Sequence, residues 1–163
     1  MPNFNYENPT NIHGGGMQTG EERLFSLVLD ALAYDGYQNM TLEEILSRGA
    51  DPEAVGRYES WEALCERALT DAAERVTLAY ESATEGARAY LSADGSSRDE
   101  GLKQLERLIY RHIYLCFHPK NRSYVLVAAG ESQLPQHLQR ILPDVLHRQF
   151  GSVLGELITA VSE

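Results

Sequence analysis

YDGYQNMTLEEILSRGADPEAVGRYESWEAL, residues 34–64, decides the fold. Thr41 is a strong helix N-cap, and Glu44 three residues on completes the pattern of a capping box. Met40 and Ile45 stand at the spacing of a hydrophobic staple across that cap. Leu42, Ile45 and Leu46 give the short helix one apolar face, and Gly49 ends it with a residue that takes positive φ at no steric cost. Asp51 caps the next helix, with Pro52 in the first helical position, where its missing N–H costs little. Ala54, Val55 and Tyr58 supply its inner face, and Ser60 caps a third helix opened by Trp61, Leu64 and Cys65. A short helix, a glycine turn and a second short helix form a helix-turn-helix pattern.

Over Glu21–Leu69 the residue order resembles the N-terminal domain of the TetR family of transcriptional regulators. The residues that carry the resemblance are Gly36-Tyr37, Thr41 to Ile45, Gly49, Tyr58, Ser60 and Glu62-Ala63-Leu64. It implies an all-α protein: a helix-turn-helix domain over 21–65, then a shortened helical regulatory and dimerisation domain over 66–163. It also implies a homodimer inserting two Asp51–Tyr58 helices into successive major grooves, with Tyr37, Arg48, Arg57 and Tyr58 as the DNA contacts. Three features depart from the family: the recognition segment is one residue short, Gly56 falls near an expected aromatic, and Trp61 stands where a lysine is usual.

Charge bears on the same question. The 163 residues carry a formal net charge of −10, unevenly spread. Residues 21–64 hold ten acids against Arg23, Arg48 and Arg57, a net of −7; residues 65–163 hold thirteen acids and eleven bases, a net of −2; Glu7 supplies the rest. Nucleic-acid binders draw affinity from Lys and Arg that neutralise phosphates. A head at −7 without lysine works against this and suits a basic protein partner, such as another regulator's DNA-reading face.

Residues 1–20, rich in Asn, Pro and Gly with no apolar period, read as a flexible arm. Glu21–Tyr34 reads as the first helix, with Leu24, Phe25, Val28, Leu29 and Leu32 inward. Trp61 to about Leu91 reads as a long, alanine-rich helix bent near Gly86. After a loop over 92–98, Asp99–His118 is apolar nearly all round from Leu108 onward, which predicts a central helix. Its Ile109, Tyr110, His112, Ile113, Tyr114 and Phe117, with Tyr80 and Tyr124, are candidates to line a pocket for a small apolar or aromatic ligand; the alternative is a plain packed core. Asn121–Ala129 reads as a short helix, and Ser132–Val161 as a last helical region interrupted by Pro143. There Leu146, Phe150, Val153, Leu154, Leu157 and Ile158 are dimer-interface candidates.

Zinc-protease, phosphate-loop and nucleophile-elbow motifs are absent, and the histidines do not share helix faces at ligand spacing. No enzyme activity, metal or cofactor is expected. Two cysteines, no secretory signal and no long apolar run predict a cytoplasmic protein with no membrane span. Three roles stay open: a ligand-responsive regulator that reads DNA, a regulator acting through a protein partner, and a small-molecule sensor.

Overall fold

The computed structural model describes residues 19–93, 97–130, 133–142 and 150–162. Every secondary-structure element among the described residues is a helix and none is a strand, so the all-α expectation holds. The order is α1 (Gly20–Tyr34), a 3-10 turn (Tyr37–Asn39), α2 (Leu42–Ser47), α3 (Pro52–Val55), α4 (Trp61–Ser92), α5 (Arg98–Phe117), α6 (Pro119–Ala129), α7 (Gln136–Gln139) and α8 (Gly151–Ser162). The expected arm, apart from its last two residues, and Pro143 and Leu146 lie outside the described residues.

Local chemistry sets the boundaries. The Thr41 and Ser60 side chains accept from Glu44 N–H and Ala63 N–H, and Asp51 accepts from Glu53 N–H, each satisfying an orphan donor of a helix start. At α2 the expected box is half formed: the Glu44 carboxylate accepts from the Thr41 hydroxyl at 3.2 Å instead of from its backbone N–H. A complete box closes α1 instead, where Thr19 and Glu22 bond each other reciprocally. Gly36 and Gly49 take φ +85° and +89°, the left-handed region that turns the chain between helices. His118 ends α5 and caps α6, its Nδ1 accepting from Lys120 N–H at 3.2 Å, and Pro119 takes the first position of α6.

The central helix is α4, not α5. Eleven residues of α4 are buried, among them Leu64, Leu69, Val76, Tyr80 and five alanines, whereas α5 buries only Gly101 and Leu108. Alanine on several faces lets neighbours approach α4 closely, and α1, α5, α6, α7 and α8 all pack on it. The helix continues through Gly86 with α-helical hydrogen bonding, and Gln104 of α5 closes over that glycine. The core is one cluster running from Leu24 and Ile45 in the head to Leu138 and Leu157 in the body. Helix α1 is shared between the two, packing on α3 and α4 on one side and on α6 on the other.

Candidate functional site

The head is where the resemblance and the charge disagree, so the partners of its side chains matter. Helix α3 is a single turn of four residues, about 6 Å long at 1.5 Å per residue. The expected Asp51–Tyr58 helix stops early: Arg57 N–H and Tyr58 N–H bond carbonyls three residues back, a tightening that ends the helix.

The four candidate DNA contacts are all engaged within the chain. Arg48 forms an ion pair with Asp35 at 2.8 Å and its second nitrogen reaches Met40 Sδ; the Asp35 hydrogen bond holds the guanidinium pKa above its ordinary value. The Tyr58 hydroxyl donates to the Glu21 carboxylate at 2.8 Å, and its ring meets Phe25 edge-on. Burial, then that carboxylate, push the Tyr58 phenol up to about 12. Tyr37 lies against Trp61, whose Nε1 donates to the Tyr37 carbonyl at 3.1 Å. Trp61 is thus spent inward, locking the 3-10 turn onto α4. Arg57 is the most open of the four and sits 3.6 Å from Glu53 one turn back. Around these cations Glu43, Glu44, Asp51, Glu53, Glu59 and Glu62 are all exposed. Glu62 meets His137 of α7 at 2.7 Å, which ties the head to the body.

The ligand-pocket candidates fall into three groups. Tyr80 and His112 come together, with Tyr80 Oη 2.7 Å from His112 Nδ1, and Phe150, the residue before α8, stacks on the imidazole at 4.1 Å between centroids. Cys116 Sγ lies 3.7 Å from the same hydroxyl. Burial raises the Tyr80 phenol pKa and lowers that of His112, so both groups are neutral in the fold near pH 7. Phe150 is a residue that sequence reasoning assigned to a dimer surface; stacking on a histidine 38 positions away leaves no local signal. Ile109, Tyr110, Ile113, Tyr114 and Phe117 instead face outward on α5, away from this cluster. Tyr124 is buried on α6, and its hydroxyl has no hydrogen-bond partner among the described residues.

The dimer-interface candidates divide as well. Phe150, Val153 and Leu157 are buried in their own chain, Leu154 is half-buried, and Ile158 is exposed. The α8 stripe therefore completes the core over α4 and α5.

Outside these groups, a small cleft of about 100 Å³ lies between α1, α4 and α6, lined by Glu22, Phe25, Asp71, Arg75 and Lys120. Its charges are matched: Arg75 pairs with Asp71 at 2.9 Å and donates to the Lys120 carbonyl. No three His, Cys, Asp or Glu side chains gather at metal-binding distance among the described residues. No helix among them is long and apolar enough to cross a membrane. No protein-family model, curated protein or solved structure matches the chain.

Proposed function

We propose that the chain is a TetR-like regulatory protein whose helix-turn-helix head acts by docking a basic protein partner. The observation that supports this most is the disposition of charge on the head. Arg48, Tyr58 and Tyr37 are held in intramolecular contacts, while six exposed acids line α2, α3 and the start of α4. A lysine- or arginine-rich surface, including a DNA-reading face of another regulator, is the complement of that pattern. Helix α1 and the Glu62–His137 pair give the body a physical route to bias the head.

The test is a salt series with two arms. In the first, fluorescent duplexes from the chain's own upstream region are titrated from low salt, and no retardation is expected. In the second, a basic partner captured from lysate is expected to be lost on Glu43→Lys with Glu59→Lys, and to weaken as salt rises. A second reading, direct operator binding, is favoured by the capped helices, the Gly49 turn and the open Arg57. Sequence-specific retardation with a steep salt slope, lost on Arg57→Ala, would establish it and remove the first. A small-molecule role has less support, because Tyr80, His112 and Phe150 pack against one another instead of lining an open space.

A further inference from the structure

Helices α4 and α5 run antiparallel, with Tyr80 against His112 near one end and Tyr90 against Gly101 near the other. Between these points α4 presents Ser82, Ala83, Gly86, Ala87 and Ala89, with Glu85 the one long side chain among them. Side chains this short leave a groove of about 480 Å³ between the helices, inside the roughly 300–1,000 Å³ range of small-molecule sites. Buried Ala83, Ala87 and Leu108 form its floor. Gln104, Arg107 and Arg111 of α5 form the opposite wall and, at about 100° per residue, share roughly 60° of arc. Arg111 reaches across the groove, its Nη1 donating to the Ser82 carbonyl at 3.1 Å. Toward the other end Gln104 closes over Gly86, and its Nε2 donates to Glu100 at 2.8 Å.

We propose that this groove binds a small organic phosphate ester, with Arg107 and Arg111 holding the phosphate group. The charges carry the inference. In a chain of net −10, neither arginine has a carboxylate within ion-pair distance among the described residues. Other cations on the helices are paired about one turn away: Arg57 with Glu53, Arg75 with Asp71 and Lys103 with Glu100. Arg107 and Arg111 instead place like charges one turn apart on the same wall, where they repel. An anion seated between the two guanidinium groups relieves that repulsion. Two planar forks of N–H donors suit phosphate oxygens, and their combined charge matches the roughly −2 of a phosphate monoester. Exposed Glu85 is the one acid among the described lining residues, while Glu81 and Glu106 lie outside the lining. Its carboxylate can accept from a hydroxyl of the ligand and disfavours a second anionic group, so it selects a neutral, hydroxyl-bearing body. The alanine and leucine floor takes the carbon skeleton. A nucleic-acid backbone is the poorer fit, because the groove spans only about two helical turns, ~10 Å, and a chain at −10 repels a polyanion. The groove shares no lining residue with the Tyr80–His112–Phe150 cluster and stands independently of what the head docks.

Isothermal titration calorimetry of the full chain with ribose 5-phosphate tests it, with ribose and inorganic phosphate as comparison titrations. Ribose 5-phosphate is expected to fill one site per chain with a dissociation constant of about 0.1–1 mM, inorganic phosphate to bind at least about tenfold more weakly, and ribose not to bind measurably. Arg107→Ala with Arg111→Ala should weaken the ester at least about tenfold while circular dichroism keeps the helical content. If that variant does not fold, Arg107→Lys, which keeps the charge and loses the fork, should weaken it about three- to tenfold. Arg57→Ala in the head should leave the affinity unchanged. No heat with the ester, equal affinity for inorganic phosphate, an affinity indifferent to the α5 variants, or tighter binding of a single-stranded oligonucleotide through these arginines would overturn the proposal.

Discussion

His112 sits between a hydroxyl and a ring. The Tyr80 hydroxyl, kept un-ionised by burial, shares a hydrogen bond with Nδ1 at 2.7 Å. Burial lowers the pKa of this histidine from its ordinary 6.5, so the unfolded chain binds the proton more readily than the folded one. The contribution is therefore fully present above pH 6.5 and is lost as pH falls below it toward the lowered folded value. We expect the urea midpoint to drop between pH 7.5 and 5.5, and His112→Gln to flatten that drop; an unchanged slope in the variant would contradict this. Tyr58→Phe makes a second case. It removes the hydrogen bond to Glu21 while keeping the edge contact with Phe25, and should cost about 1 kcal/mol in denaturant unfolding.

At the scale of elements, the closest approach is at the start of α5. A Cβ on Gly101 would stand 2.5 Å from Tyr90 Oη and 2.6 Å from Val161 Cγ1, wedged between α4 and α8. Gly101→Val should therefore destabilise by about 1–3 kcal/mol, as overpacking does. Gly86→Ala should be far milder, since the atom it meets is the far end of the flexible Gln104 side chain. Comparing the two unfolding curves checks the contrast. Elements were the most legible part of the sequence because caps are local: Thr41, Asp51, Ser60 and Ser97 each act within three residues. The orientation of α5 was not legible. A helix apolar nearly all round carries no period to say which face its neighbours take, and the choice was made by Gly101 and by Phe150 on His112. The candidate site suffered similarly, since Arg48 finds Asp35 and Tyr58 finds Glu21 through folding, not through sequence spacing.

The whole molecule is polarised. Its head carries −7 of the −10 net charge, while several large apolar side chains of α5, among them Tyr110 and Phe117, are exposed in the body. A basic partner would therefore dock at the acidic end, and that contact weakens as ionic strength rises. The composition of the head was plain in the sequence, and so was its conflict with phosphate binding. How far its few cations are used internally was not, because that depends on distances between α1, the 3-10 turn and α4.

Helix α1 also belongs to two neighbourhoods. It packs on α3 and α4 toward the head and on α6 toward the body, where the buried Ser123 hydroxyl donates to the Asp30 carboxylate. A module that borrows one of its walls has no autonomous melting transition. Cleaving the chain after the head would strip Leu29 and its neighbours of their cover, and the fragment would be expected to lose protection against amide hydrogen exchange throughout. In the intact chain the slowest-exchanging amides of α1, α4 and α6 should open together, as a single foldon, with the one-turn α3 fraying independently at far lower free energy.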